Sequence, residues 1–350
     1  MTKVLITIPG SGKSGGVLSH YESLRKYLDK DIYYFSIGNS RYSLINLIKL
    51  PIDFFYFTLN IYFRKIDIVI LNPSLYPGIF HRDSLLLKIS KLFNKKVIVF
   101  FHGWYEFYCR KLNSERFLFY YGSTDAIMVL SNAFKLIIQE WNYQKKIYLT
   151  TTKVDNRLLV NFEIDKKRKS PKNLLFLARL EEYKGIFIAL ETYSILKKKY
   201  PHLTFSIVGD GSVKEKVIEF VESNYLSDVN ILGAIFGHEL IKVYSDADIY
   251  ILPSFSEGMP ATVLEAMAFG LPIIASNVGG IVDFFEQNKM GYLLDNLDPQ
   301  LFANEIEKFL LNPTYFVEVS NYNYHYASTR FLSSEVAANF SKIIQDIKNA

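Results

Sequence analysis

The sequence predicts an α/β protein of two doubly wound, Rossmann-like domains, and three observations predict it. Short continuous apolar runs alternate with segments of helical periodicity along the whole chain, as expected of parallel strands covered on both faces. The 350 residues exceed the roughly 150 typical of one domain, and 49% are hydrophobic against 21% charged, which suffices for two cores and is too apolar for disorder. A polar, basic run at 165–171, Asp-Lys-Lys-Arg-Lys-Ser-Pro, separates two stretches of the same grammar.

The elements follow in chain order. Residues 4–8 are an apolar run closed by Pro9-Gly10, a buried first strand ending in a glycine-rich turn. The run is shorter than a signal-peptide core, so no export signal is expected. Further strands are expected at 68–71, 97–101 and 126–130, with helices at 17–28 and 84–93. Residues 44–63 are the most apolar stretch but contain Lys49, Pro51 and Asp53. Charges are costly at a bilayer centre and Pro51 would break a helix, so the stretch reads as a core helix rather than a span. Arg41, Arg64 and Lys65 beside it leave a membrane-dipping surface as the alternative. In the second half, strands are expected at 174–178, 205–208, 249–252 and 273–275. Helices are expected at 185–200, 213–223, 261–269 and 301–311.

With the basic run as linker, the domains are 1–168 and 169–330. The amphipathic tail 331–350 follows a second domain already complete, so it is expected to pack back on the first. Charge narrows the partners. The balance of 40 − 35 = +5, with a pI near 8.8, suits an anionic substrate or membrane surface without requiring nucleic acid. The run 165–171 lacks the interleaved aromatics of a nucleic-acid site. One cysteine, Cys109, leaves no intramolecular disulfide or CxxC zinc site and points to a reducing compartment.

Sheets of this kind bind ligands beyond the carboxyl ends of their strands. The densest signal there is Ser254-Phe-Ser-Glu257-Gly258-Met259-Pro260-Ala261-Thr262-Val-Leu-Glu265-Ala-Met-Ala-Phe-Gly270-Leu-Pro272. Pro260 suits a first helical turn, and Gly270 with Pro272 ends the helix. The free N–H groups around Met259, Ala261 and Thr262 favour an anion, phosphate above all. Glu257 and Glu265 bracket this helix start, and carboxylates beside a phosphate site suit sugar and ribose hydroxyls. Alone, each would be an ordinary helix-start or surface charge. Arg179 follows the strand at 174–178 and Lys184-Gly185 opens the next helix, a bidentate cation and a point charge suited to a diphosphate. Val208-Gly209-Asp210-Gly211 is a further strand-end glycine turn.

Together, Phe-Leu-Ala-Arg179-Leu…Lys184-Gly, Val-Gly209-Asp-Gly211, Leu-Pro-Ser254…Glu257-Gly…Glu265-Ala-Met-Ala…Gly270-Leu-Pro and Asn-Val-Gly279-Gly280 resemble glycosyltransferase family 4, most strongly over 174–294. The resemblance implies a GT-B fold, with two Rossmann-like domains facing a central cleft and a C-terminal helix crossing back. It implies an acceptor-binding first domain, a donor-binding second domain, and closure of the two on the donor. Arg179 and Lys184 would bind the donor diphosphate, Glu265 the ribose and Glu257 the donor sugar. Gly258, Met259 and the amides of Ala261 and Thr262 would hold phosphate. The base would lie between Gly209 and Ile235. In the first domain, Gly15-Gly16 would let backbone approach the donor phosphate, and His102, at the end of the strand 97–101, would hydrogen-bond the transferred sugar.

Two decoys are set aside. Thr7-Ile-Pro-Gly-Ser-Gly12-Lys13-Ser14 imitates a phosphate-binding P-loop but has Thr7 where glycine is needed. Asp246-Ala-Asp248 imitates a metal-binding Asp-x-Asp but precedes its strand. The cations and helix ends supply the charge a metal would, so no metal or other cofactor is expected. The resulting expectation is a retaining, metal-independent glycosyltransferase. It would move a sugar from a nucleotide-diphosphate sugar, UDP-linked more readily than GDP-linked, to a hydroxyl of a glycan or polyprenyl-linked acceptor in surface polysaccharide or glycoconjugate synthesis. Its place would be the cytoplasm, with peripheral contact to the inner leaflet. The alternatives are a non-catalytic sugar-nucleotide-binding subunit of a glycan-assembly complex and a nucleotide-sugar epimerase of the same fold.

Overall fold

The computed structural model describes residues 2–10, 16–38, 43–73, 77–102, 112–226 and 228–350. Gly15, Arg41, Gly103, Cys109 and the P-loop-like Gly12-Lys13-Ser14 lie outside the described residues. The chain divides into two compact units, one of Met1–Thr152 with Ser333–Ala350, the other of Lys153–Leu332.

The first unit is built on six parallel strands: β1 (Val4–Pro9), β2 (Ile32–Ile37), β3 (Ile68–Leu71), β4 (Lys96–Phe101), β5 (Ala126–Val129) and β6 (Lys146–Leu149), in the order β2-β1-β3-β4-β5-β6. The interior strands are apolar on both faces; in β3, Ile-Val-Ile-Leu, every residue is buried. Full burial of such a side chain contributes about 1.5–3 kcal/mol, so four residues suffice for a strand. Its helices are α1 (Gly16–Leu24), α2 (Ser43–Arg64), α3 (Pro77–Leu92), α4 (Ser114–Tyr121) and α5 (Asn132–Glu140). The helix α2 runs through Pro51, against the expectation that this proline would break it. Phe57 and Ile61 anchor α2 in the core, which compensates the bond that proline cannot make.

The second unit repeats the plan with β7 (Asn173–Leu177), β8 (Thr204–Val208), β9 (Val229–Gly233), β10 (Ile249–Leu252), β11 (Ile273–Ser276) and β12 (Gly291–Leu294), parallel and ordered β12-β11-β10-β7-β8-β9. Its helices are α6 (Ile186–Lys199), α7 (Lys214–Ser223), α8 (His238–Asp246), α9 (Ala261–Ala268), α10 (Pro299–Leu311) and α11 (Pro313–Arg330). The last helix, α12 (Ser333–Asn349), belongs to the first unit. There Val336 and Ala337 bury against Leu24 of α1.

The division falls after Thr152, earlier than the expected boundary at 168. The basic run is fastened rather than hinged. Asp248, 1% exposed, accepts from the amides of Lys172 (2.8 Å) and Asn173 (2.9 Å) and from Arg168 (3.2 Å). Lys167 Nζ donates to the carbonyl of Ala247 at 2.7 Å. A buried carboxylate needs donors, and these residues supply them. The same bonds occupy the second aspartate of the Asp-x-Asp decoy.

Candidate active site

Strand order fixes where each site lies. In the second sheet the chain runs outward from β7 through β8 to β9, then returns to the other side of β7 as β10. The carboxyl ends of β7 and β10 therefore flank the switch point where doubly wound sheets bind ligands. Arg179 and Lys184 follow β7; Ser254 and Glu257 follow β10.

The two loops are tied to each other. Phe255 N donates to the carbonyl of Tyr183 at 2.9 Å. Gly185 has φ +73, and a Cβ there would stand 1.9 Å from the carbonyl oxygen of Pro253, so only glycine allows the crossing. Lys184 Nζ thereby reaches both carboxylate oxygens of Glu257, each at 2.7 Å, and Ser254 Oγ donates to Oε1 at 2.7 Å. The two charged side chains are 14% and 6% exposed. Behind them, Gly279 (φ +72) packs where a Cβ would lie 2.7 Å from the backbone oxygens of Glu257 and Gly258. Gly280 N donates to the Gly258 carbonyl.

Arg179 is exposed and donates to the Tyr183 hydroxyl, with its guanidinium 5.7 Å from the ring centre. Lys184 Nζ lies 5.2 Å from the same ring. Tyr183 thus stands between the two cations.

The helix α9 starts three residues beyond Gly258. Pro260 precedes it, and no side chain caps its first turn, so the amides of Ala261 and Thr262 are those an α-helix leaves without intrahelical carbonyls. Met259 is half-buried at this start. Tyr250 lies 2.9 Å from the Leu177 carbonyl and 2.7 Å from Thr262 Oγ1. One proton cannot serve both, so when Tyr250 donates to the carbonyl, Thr262 donates to Tyr250.

Glu265, one turn inside α9, accepts from the Tyr244 hydroxyl at Oε2, 2.8 Å. Tyr244 is fully buried and stacks on Phe269 at 5.0 Å. Burial raises the Glu265 carboxyl above its ordinary value; Lys153 and the Tyr244 bond oppose this, and Asp155 adds to it. Burial, with Glu265 adding, holds the Tyr244 phenol far above its ordinary value, so it remains a donor. Gly209 N donates to the Gly233 carbonyl at 2.8 Å, and Ile235 follows half-buried in the loop after β9.

In the first sheet the switch point lies between β1 and β3. His102 directly follows β4, next to β3, and its Nε2 is 3.0 Å from Oδ1 of Asn72, which follows β3. Burial holds the imidazole well below its ordinary pKa, and His20 beside it adds to this. Gly16 opens α1, and a Cβ there would meet nothing within 4 Å. The packing of the protein therefore does not itself require glycine at 16. Among the described residues no group of three or more His, Cys, Asp or Glu could hold a metal ion.

The expected residues of the second unit follow the carboxyl ends of β7, β8, β9 and β10, and Lys184, expected on a diphosphate, is ion-paired to Glu257. Tyr183, Tyr244, Tyr250 and Asn72 were not anticipated. With 25 tyrosines in the chain, composition singles out none of them. Asn72 could have been found, because it directly follows the expected strand 68–71.

Residues 160–326 match the family described as Glycosyl transferases group 1, in agreement with the resemblance carried by 174–294, and the second unit belongs to that family. An uncharacterized glycosyltransferase of Haemophilus influenzae is 29% identical over 226 residues, 64% of this chain and 60% of that protein. The amylovoran biosynthesis glycosyltransferase AmsK of Erwinia amylovora is 34% identical over 150 residues, 41% of this chain and 37% of that protein. The matches thus take in less than two thirds of these curated relatives. The crystal structure of Anabaena HepE in complex with UDP covers 99% of this chain and is itself fully covered, with a TM-score of 0.77 at 15% identity. That likeness shows the fold, two Rossmann-like domains of the GT-B type.

Proposed function

We propose that the chain is a retaining glycosyltransferase of family 4 type that moves a hexosyl group from a nucleoside diphosphate sugar to a hydroxyl of a glycan or lipid-linked acceptor, without a metal. The observation that carries this reading is the arrangement at the ends of β7 and β10. Arg179 and Lys184 follow β7 and the open amides of α9 follow its neighbour β10, a set that suits a departing diphosphate. Glu257, gripped by Lys184 and Ser254, would accept from donor-sugar hydroxyls. Glu265, with one oxygen held by Tyr244, has the other for a ribose diol. The UDP in the HepE complex and the amylovoran biosynthesis in the name of AmsK support a UDP-sugar donor and a glycan product.

The test is transfer from labelled UDP-glucose, UDP-N-acetylglucosamine and GDP-mannose to simple glycosides and polyprenyl-linked sugars in EDTA, with the anomeric configuration of the product read by proton NMR. A product that keeps the donor configuration supports the reading. An inverted product refutes retention, and nucleotide binding without product favours a non-catalytic subunit.

We further propose that α2 rests on an anionic membrane surface. Ile52, Phe55, Tyr56, Tyr62 and Phe63 are exposed at helical spacing on the face opposite Phe57 and Ile61. Lys65 and Lys95 border a cavity of about 400 Å³ at its end, lined also by Ile61, Tyr62, Phe63 and Phe93. An apolar stripe beside cations is the pattern of an interfacial helix. Among the described residues no helix is long and apolar enough to cross a membrane. Flotation with phosphatidylglycerol vesicles should carry the protein, and F55S/F63S should abolish it; equal flotation of both proteins would refute the proposal.

A further inference from the structure

Thr7 near the end of β1, Asn72 after β3 and His102 after β4 lie on three neighbouring strands of the first sheet. Asn72 Nδ2 donates to the Thr7 carbonyl at 2.7 Å, and Asn72 N to Thr7 Oγ1 at 3.3 Å. With its NH2 group committed to a carbonyl, the Asn72 amide can turn only its oxygen the other way. That oxygen receives the Tyr21 hydroxyl at 2.9 Å and faces His102 Nε2 at 3.0 Å. Asn72 and Tyr21 are 8% and 2% exposed, so water does not offer an easy substitute. A carbonyl oxygen only accepts, so the proton between them belongs to His102 Nε2. A neutral imidazole has one N–H, which leaves Nδ1 with its lone pair. Among the described residues Nδ1 takes no hydrogen bond.

We propose that Asn72 is a positioning residue that fixes His102 as the Nε2–H tautomer, so that Nδ1 is presented as an acceptor for a substrate hydroxyl. The proposal rests on the transferase reading only for what that hydroxyl belongs to, a sugar of the donor or acceptor. Its chemical content is that His102 neither carries charge nor donates a proton at Nδ1. The ring is enclosed by Phe100 at 3.6 Å, His20 at 5.0 Å and Tyr21 at 5.9 Å between centres. Among the described residues the titratable groups against it are His20 and Tyr21, both from α1. Tyr21 shares the Asn72 oxygen and restrains that amide from the far side. An asparagine that merely tied β1 to β3 would leave the tautomer of His102 undetermined.

Two-bond proton–nitrogen correlation spectra of the full chain labelled with 15N-histidine test this without any substrate, His102 being assigned by its loss in H102Q. The expected result is a protonated Nε2 and an unprotonated Nδ1, constant between about pH 6 and 8. In N72D the carboxylate facing Nε2 should stabilise the imidazolium and protonate Nδ1 within that range. Where transfer occurs, its rate in N72D should then fall several-fold more toward pH 6 than the rate of the wild type does. A wild-type His102 protonated on Nδ1, or an N72D protein with unchanged His102 protonation, would overturn the proposal. The wild-type spectrum decides the tautomer even if the variant fails to fold. The expected tautomer with no transfer from any donor would refute the transferase reading and leave the role of Asn72 standing.

Discussion

Lys184 Nζ lies 2.7 Å from each carboxylate oxygen of Glu257, across two loops that leave adjacent strands of one sheet. The pair is largely shielded from water, so each charge depends on the other for compensation. A dianionic diphosphate beside Lys184 would compete with Glu257 for the same cation. On the proposed reading, binding a leaving group and orienting a sugar would be coupled through one lysine.

Glu257→Gln separates these roles. Breaking a buried pair by removing one charge costs about 3–5 kcal/mol, and Gln still offers Lys184 a carbonyl, so the low end is expected. Transfer should fall about 100-fold or more, as when a group that acts on developing charge is removed. Added UDP should raise the melting temperature of the variant more than that of the wild type, because it supplies the missing anion. Differential scanning fluorimetry checks this, and an equal rise in both proteins would mean that Lys184 does not meet phosphate.

Gly279→Ala should cost about 1–2 kcal/mol for the left-handed backbone alone, and more because its Cβ would press on the Glu257 and Gly258 carbonyls. Its effect on turnover should exceed what lost stability explains, since the displaced loop carries Glu257. Urea unfolding and initial rates at low temperature separate the two contributions.

Tyr244→Phe removes the donor to Glu265 Oε2. Hydrogen bonds to a charged group contribute about 1.5–3 kcal/mol, but here the carboxylate can also turn or ionise less. The expected outcome is a modest loss of stability with a clear loss of discrimination between UDP and its 2′-deoxy analogue. Calorimetric titration with both nucleotides measures it.

The raised Glu265 carboxyl gives a signed pH dependence. Its folded pKa lies above the ordinary 4.5, so between these two values the folded state holds the proton more tightly than the unfolded state. Glu265 therefore penalises the fold at neutral pH, and the penalty is relieved as pH falls through its raised pKa. Nucleotide binding goes the other way, because a diol donates to the ionised form: affinity should drop on acidification above the usual carboxylate range. Glu265→Gln should bind more weakly at neutral pH and lose that part of the slope. Titrating UDP into both proteins across pH distinguishes this from titration of the nucleotide itself.

Which strands were legible in the sequence follows from where they lie in the sheets. All eight expected strands are interior strands, and among the described residues the unanticipated ones are the four edges, β2, β6, β9 and β12. Interior parallel strands are apolar on both faces and read as continuous runs. Edge strands have partners on one side only, and their patterns show it: β6 has no buried residue and β9 alternates half-buried with exposed. The linker misled for a related reason. Charge suggested a solvated hinge, while the buried Asp248 that needs those donors lies far along the chain. At the site, charged residues and glycines at strand ends were legible because they are scarce there. Tyr244 and Tyr250 were not, because an aromatic in an apolar segment looks the same whether its hydroxyl is idle or bonds to the start of α9.

The most direct test of the central claim, that the crevice at β7 and β10 holds a nucleoside diphosphate without metal, is thermal unfolding with UDP, GDP and ADP in EDTA. A ligand at 100 times its dissociation constant adds about 2.7 kcal/mol, a rise of several degrees for a unit of this size. The account predicts such a rise, larger for UDP than for GDP or ADP and unchanged when EDTA is replaced by magnesium. No rise with any of the three, or a rise that needs the metal, would contradict it.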